Sequence, residues 1–301
     1  MFTQFFGNYL FNEKLVTKQQ LIEALEMQKV VRAKLGVLAI NAGYMTAKQV
    51  DEVHAEQQRA DKRFGDIAVE KGFVTEAQVE ELLSNQKQAH LVLGQALVDK
   101  GYLTNEQFAE ALAKYKKNNL IEESDFTDDQ NRKIDTIIRN FYIFNTFDGN
   151  IDFFTDYVSL VFKNIIRFVG GDFIPLAPES VREYKADKAA YQLINGKGTV
   201  FTAIEGSAAA LTEFAARYSG EELTEFDEMA RESVAEFLNL HNGLFTVNMS
   251  NNKQTELQLE PQKVVENSKL VAKNGEMFAM PICFPFGTVT VIVSSCNVSA
   301  E

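Results

Sequence analysis

The stretch RFGDIAVEKGFVTEAQVEELLSNQ, residues 63–86, decides how the first third of the chain folds, because its pattern occurs four times. One glycine recurs at an interval of 29 residues, and a Thr-x-x-Gln follows it each time. The recurring residues are Gly7, Gly36, Gly65 and Gly94, then Thr17, Thr46, Thr75 and Thr104. A fixed period of this length is typical of stacked supersecondary units.

Each copy of the repeat reads as a pair of helices. The threonine and the glutamine three residues later form a capping box at the start of the second helix. Apolar residues on both sides of the box, such as Val74 and Val79, form a hydrophobic staple. A second glycine fits the left-handed position that ends the first helix, and Lys14 holds that position in the first copy. The sequence therefore predicts an all-α helical repeat module over residues 1–117.

The first glycine of each copy has two explanations. Glycine within a helix is about 1 kcal/mol less favourable than alanine, so something must approach the backbone closely there. A neighbouring helix is one explanation, since helical arrays commonly pack on small residues. A ligand held against backbone amides is the other.

The spacing of these residues resembles the MshEN repeats at the N-terminus of type II secretion and type IV pilus ATPases, some of which bind cyclic di-GMP. The resemblance covers about residues 5–115. It implies either a cyclic di-GMP site or a protein-binding array. Copies two and three match the ligand-binding pattern, through Lys34, Gly36, Gln57, Arg63, Gly65 and Gln86. Lys34 departs from it, because only arginine presents a planar fork to a guanine edge or phosphate.

The composition excludes several classes of protein. Residues 1–117 are electrically neutral, so the net charge of −12 belongs to the remainder, and this acidic balance argues against a nucleic-acid-binding role for the second half. We find no secretory n-region and no apolar run of 18 residues, and only two cysteines, Cys283 and Cys296, so we expect a cytoplasmic protein without membrane insertion. The three histidines, His54, His90 and His241, are too scattered for a metal triad, and we expect His54 to be half-buried.

The rest of the chain changes its periodicity. Residues 118–148 read as a linker and a docking helix, and residues 149–301 as a second domain. Helices are predicted over 152–170, 207–220 and 222–241, with strands in TVFTAIEG (199–206), LFTVNMS (244–250), TELQLE (255–260) and the closing hairpin (277–295). Helices packed on a largely antiparallel sheet give an α+β domain.

The third of these helices carries the candidate chemistry. On an ideal helix, the residues predicted to face the sheet are Phe226, Ala230, Ser233, Phe237 and Leu240. Glu232, Glu236 and Asn239 then share one flank. A carboxylate and a carboxamide are thereby held side by side on a rigid element. Taken alone, Glu-x-x-Asn is a weak signal, because any solvated helix face can contain it.

The surrounding sequence resembles the CheC/CheX/FliY phosphatases over about residues 150–295, and CheX most closely because only one such motif is present. Glu236, Asn239 and Gly243 match the family motif, with Pro261 downstream; Glu232 stands where the family has Asp or Ser. The resemblance implies that the chain hydrolyses the aspartyl phosphate of a CheY-like response regulator. Asn239 would orient the attacking water and Glu236 would engage a lysine of the regulator.

The resemblance to CheX also implies how the site is supplied and assembled. The regulator brings Mg²⁺, so no intrinsic cofactor or metal site is expected. A homodimer through edge strands is implied, with the closing hairpin as the predicted edge. The alternative is a non-enzymatic cyclic di-GMP-binding or docking protein whose CheX-like domain is inactive, which Glu232 favours modestly.

Overall fold

The computed structural model of the chain describes residues 2–27, 31–60, 62–84, 89–118, 151–196 and 198–301. It divides into two compact units, Met1–Asp125 and Phe126–Glu301. Apart from Asn118, the predicted linker and docking helix over 118–148 lie outside the described residues. No helix in these ranges is long and apolar enough to cross a membrane. The predicted fold class, an all-α module followed by an α+β domain, is confirmed.

The first unit consists of helices arranged two per copy of the repeat, as predicted. They are α1 (Phe2–Asn12), α2 (Lys18–Met27), α3 (Leu35–Asn41), α4 (Ala47–Gln57), α5 (Phe64–Glu70), α6 (Glu76–Ser84), α7 (Ala89–Asp99) and α8 (Asn105–Asn118). The core includes large aromatic side chains, and the Phe6 ring contacts those of Phe108 and Tyr115.

The capping boxes are present in all four copies. The Thr46 hydroxyl accepts a hydrogen bond from the Gln49 amide at 3.3 Å, and Gln49 Oε1 accepts from the Thr46 amide at 2.7 Å. The other three copies form the same pair of bonds. Local side chains thus satisfy amides that a helix start leaves unpaired. Left-handed backbone follows each first helix, at Gly43, Gly72, Gly101 and, with φ of 57°, Lys14.

The first glycine of the repeat packs against the second helix of its own copy. A Cβ on Gly94 would lie 2.2 Å from the Phe108 ring. The equivalent atoms on Gly36 and Gly65 would lie 2.7 Å from Val50 and 3.3 Å from Val79. The contacted residue is the fourth of its helix in each case. Helix packing therefore accounts for these glycines without a ligand.

The second unit contains helices α9 (Ile151–Phe168), α10 (Ala208–Ser219) and α11 (Glu228–Lys253). Its strands are β1 (Ile174–Pro175), β2 (Glu179–Val181), β3 (Glu183–Asn195), β4 (Thr199–Gly206), β5 (Gln258–Leu259), β6 (Lys263–Ala272), β7 (Met277–Phe284), β8 (Gly287–Ser294) and β9 (Val298–Ala300). All the strand pairs of the described sheet are antiparallel, in the order β1-β7-β8-β4-β3-β6-β9.

The strand pairing shows that the sheet curls. Only Arg182 separates β2 from β3, yet the two strands pair with different neighbours. β2 pairs with β7, whereas β3 pairs with β4 and β6. One buried face is lined by small and apolar side chains: Ala186, Ala189, Phe201, Ala203, Leu270, Ala272, Met277, Ala279 and Ile292. The alanines leave room for the strands to approach across the curved face.

Two predictions about this unit are wrong, and two of its strands were missed. LFTVNMS is not a strand: α11 continues through Gly243 to Lys253, because Phe245 and Met249, four residues apart, extend its buried face. TELQLE forms only the two-residue strand β5, and β3 and β6 were not predicted. A short apolar run fits a period of two and of 3.6 equally well, which explains the first error.

The closing hairpin is correctly predicted as two strands, but it offers no edge. β8 lies between β7 and β4, and the other side of β7 is taken by β1 and β2. A homodimer formed by edge pairing would therefore need another strand, and the dimer stays a prediction.

Candidate functional site

The predicted site residues lie on one flank of α11. Asp227 is the N-cap of this helix, and its side chain accepts a hydrogen bond from the Ala230 amide at 2.9 Å. Glu232 and Glu236 are exposed and Asn239 is half-buried. The buried face is rotated from the predicted one, because α9 and α10 also pack on α11. Ala230 and Phe237 are buried as predicted, but Ser233 and Leu240 are only half-buried, and Phe226 is half-buried and precedes the helix, which begins at Glu228 and not at residue 222. The residues that the face also buries are Val234, Ala235 and Leu238.

Asn239 is held by a residue that the sequence analysis missed. Gln192, on β3, is 1% exposed and donates from Nε2 to Asn239 Oδ1 at 2.9 Å and to the Glu260 carbonyl at 2.8 Å. Its Oε1 accepts from Asn242 Nδ2, also at 2.9 Å. Asn242 was not singled out either, although it stands three residues beyond Asn239 in the sequence. Nothing in the pattern of β3 identifies Gln192 as part of a site.

The hydrogen bonds fix which atom of Asn239 faces Gln192. The Thr202 hydroxyl donates to the Gln192 carbonyl at 2.8 Å, so it accepts from Asn242 Nδ2. Asn242 Nδ2 then gives its second proton to Gln192 Oε1. Gln192 Nε2 must therefore donate both protons, one of them to Asn239. Only Oδ1 of Asn239 accepts, so its Nδ2 points away, and it makes no hydrogen bond to the described residues.

Glu236 borders an open groove of about 940 Å³ between α11 and the start of β6. Glu232, Arg231, Tyr218 and Gln262 also line it. Burial, and then the charge of Glu236, raises the pKa of the Tyr218 phenol. Tyr218 is a second residue that the sequence analysis missed. A carboxylate in an open groove is accessible to a cationic side chain of another protein.

Gly243 and Pro261 lie beside this arrangement. Gly243 is inside α11, and a Cβ on it would meet nothing within 4 Å. It therefore leaves open space one turn beyond Asn239. Pro261 directly follows Glu260, whose carbonyl oxygen anchors Gln192. The chain segment that the motif predicted downstream thus contributes to holding Asn239.

The ligand-binding residues predicted in the repeats come together only in part. Gly36 faces Phe64, and Gly65 faces Leu35, so copies two and three pack reciprocally through α3 and α5. Lys34 instead pairs with Asp99 of copy four at 2.7 Å. Arg63 and Gln57 are exposed, and Gln57 Nε2 donates to the Lys62 carbonyl at 3.4 Å. Gln86 lies outside the described residues.

The histidines and cysteines form no site in the described ranges, where no group of three or more His, Cys, Asp or Glu residues could hold a metal ion. His54 is half-buried, as predicted, and its ring lies 5.0 Å from that of Phe64. Burial lowers the pKa of His90 to about 4 and that of His241 to about 3. Cys283 is buried and Cys296 is half-buried.

Solved structures of CheC-like and CheX proteins match about half of this chain. A CheC-like superfamily protein from Shewanella sp. PV-4 is 20% identical over 48% of this chain and 97% of its own, with a TM-score of 0.43. CheX from Desulfovibrio desulfuricans is 15% identical over 50% and 99%, with a TM-score of 0.42. A chain of the CheX–CheY–BeF3–Mg complex from Borrelia burgdorferi is 13% identical over 48% and 99%, with a TM-score of 0.38. No protein-family model and no curated protein matches the sequence.

Proposed function

We propose that the second unit is a phosphatase that hydrolyses the aspartyl phosphate of a CheY-like response regulator. The observation that carries this proposal is Asn239: an amide on an exposed helix flank, one turn from Glu236, whose orientation is set by buried hydrogen bonds. The bond from Gln192 occupies Oδ1 and leaves the Nδ2 donor of Asn239 for a group outside the fold.

The chemistry needs little more than positioning. Water attacks the phosphorus of the aspartyl phosphate, the bond to the carboxylate oxygen breaks, and phosphate and the free carboxylate are released. The regulator supplies the phosphoryl group and Mg²⁺, so the phosphatase contributes chiefly by holding groups in place. Asn239 Nδ2 is a donor for the oxygen of the attacking water. Glu236 pairs with a lysine of the regulator.

The surface around Asn239 suits a protein partner. Met229 and Val247, beside Glu236 on the exposed side of α11, are 53% and 55% exposed. With Glu232 and Glu236 they form a continuous acidic and apolar strip. Gly243 leaves space at its centre for close approach. A basic and apolar surface beside the phosphorylated aspartate of the regulator would complement this strip.

The test is phosphate release from a panel of phosphorylated receiver domains, with wild-type protein, Asn239→Ala and Asn251→Ala. Asn251 is exposed on the same helix, three turns further on, so its substitution controls for general effects on α11. We expect Asn239→Ala to lower the rate about 10²-fold and Asn251→Ala to leave it unchanged. Full activity of Asn239→Ala, or no release from any receiver, would overturn the proposal. Binding of a receiver without release would favour the docking protein instead.

A further inference from the structure

A chain of hydrogen bonds leads from α9 to Asn239. Tyr157 donates from its hydroxyl to Asn242 Oδ1 at 2.9 Å, Asn242 donates to Gln192, and Gln192 donates to Asn239. The first three side chains are each at most 1% exposed. Of these four hydrogen-bonded residues, only Asn239 reaches the surface.

Gln192 is a polar exception on its face of β3. Ala190 and Ile194, two residues away on either side, point to the same face and are buried and apolar. An apolar residue at 192 would fill the same layer without needing any partner. A buried amide side chain loses free energy unless each of its donors and acceptors finds a hydrogen-bond partner. Gln192 is therefore harder to accommodate in this core than an apolar residue of the same size.

We propose that Gln192 is a positioning residue for the hydrolysis, that it acts only through Asn239, and that Tyr157 and Asn242 hold it in place. This inference rests on the proposed function. An amide on a helix flank can turn about its last torsion angle and exchange its donor and acceptor ends. Gln192 removes that freedom, since both protons of its Nε2 require acceptors. Asn239 then presents Nδ2 to the reacting groups without reorganisation during the reaction.

The experiment uses the full chain and the receiver domain that the wild-type protein dephosphorylates. Gln192→Met keeps the volume and removes the donors. We expect kcat to fall about tenfold with KM unchanged, because the regulator still docks on the same surface. Asn195→Ala is the matched control: Asn195 is also on β3 and donates to the Glu260 side chain at 2.9 Å, but it makes no bond to Asn239. Its kcat should equal that of wild type.

A double mutant separates positioning from a structural role. If Gln192 acts only through Asn239, Gln192→Met added to Asn239→Ala should lower kcat no further. An additional tenfold loss in the double mutant would overturn the inference, and so would normal kcat in Gln192→Met when Asn239→Ala is inactive. An active Asn239→Ala would overturn both this inference and the proposed function.

Tyr157→Phe tests the inference if Gln192→Met does not fold. It removes one hydroxyl at the far end of the chain and keeps the ring that packs on Phe245 and His241. We expect the side-chain ¹⁵N–¹H resonances of Asn239 to shift and kcat to fall about threefold. Unchanged Asn239 resonances together with unchanged kcat would overturn the inference.

Discussion

Polar side chains serve the two units of this chain in opposite ways. In the repeats, the polar pair that recurs in every copy is local: Thr46 and Gln49, three residues apart, satisfy each other's amides, and the other copies repeat this pair. In the second unit, Asn239 is held by Gln192, 47 residues away, through an arrangement that occurs once. A repeated local contact builds the architecture, whereas a buried amide that orients a half-buried amide on a helix flank calls for a functional explanation.

The contrast between the two units would be broken most clearly if the repeats bound a ligand. The resemblance to MshEN predicts that cyclic di-GMP binds to copies two and three. Of the two basic residues in the predicted site, Arg63 is exposed and makes no ion pair to the described residues, whereas Lys34 pairs with Asp99. Arg63→Ala should then weaken binding by about 1.5–3 kcal/mol, the range for a charge-assisted hydrogen bond. Calorimetry on the full chain measures it, with Arg59→Ala as a control of equal charge.

The absence of heat at about 100 µM cyclic di-GMP would leave packing as the only role of the repeated glycines. Gly65→Leu, which would otherwise block a ligand, is not a clean variant. A Cβ on Gly65 already lies 3.3 Å from Leu35 and Val79, so a leucine would disturb the helices as well.

Acid should destabilise the second unit through His241. Burial lowers the pKa of His241 to about 3, so between that value and its unfolded pKa near 6.5 the unfolded chain binds a proton that the folded unit does not. The stability is therefore present above pH 6.5 and is lost as the pH falls. At pH 5 the loss is about 2 kcal/mol, at 1.36 kcal/mol per pH unit.

The measurement is urea unfolding at pH 7 and pH 5, with hydrogen exchange to resolve peptides of the two units. His241→Gln should reduce the acid loss in the second unit alone. His90→Gln should do so in the first, where burial and Lys116 lower the pKa of His90 to about 4. If His241→Gln retained the full acid loss, another group would be responsible.

The repeats and the α11 flank differ in how far the sequence predicts them. The residues that specify both helices of a repeat copy and its cap lie within about 29 positions of one another. The spacing of Thr, Gln and Gly was therefore enough to predict the helix pair. On α11, helical spacing also placed Glu232, Glu236 and Asn239 on one flank. The orientation of Asn239 depends on β3 and on the Glu260 carbonyl, which no local pattern encodes. The predicted strand at LFTVNMS failed because its seven residues are too few to separate the two periods.

Replacing a helical glycine by alanine should change the stability of the two units in opposite directions. Gly94→Ala places a Cβ against the Phe108 ring and should destabilise the first unit by about 1–2 kcal/mol, since overpacking outweighs the gain in helix propensity. Gly243→Ala meets nothing within 4 Å and should stabilise α11 by about 0.5–1 kcal/mol.

Chemical denaturation of both variants measures the two changes. Valine in place of Phe108, as copies two and three have at the equivalent positions Val50 and Val79, should recover part of the loss in Gly94→Ala. A destabilised Gly243→Ala would mean that this glycine serves the fold after all. A stabilised variant that dephosphorylates more slowly would place the regulator against it.

The smallest expected effect lies at Lys14, where one copy breaks the rule of the other three. Its φ of 57° is the left-handed conformation that Gly43, Gly72 and Gly101 adopt at the same position. The turn is otherwise equivalent: the amides of Lys14 and Leu15 donate to the carbonyls of Phe11 and Leu10, as in the other copies.

The left-handed conformation destabilises the folded state by about 1–2 kcal/mol when the residue is not glycine. A glycine removes this strain, but part of the gain is offset because glycine also raises the conformational entropy of the unfolded chain. Lys14→Gly should therefore stabilise the first unit by about 0.5–1 kcal/mol in urea unfolding. Lys114→Gly, within α8, should instead destabilise it by about 1 kcal/mol. If both variants were destabilised, the Lys14 side chain would have to contribute a contact that outweighs its backbone strain, and the four copies would not be equivalent at this turn.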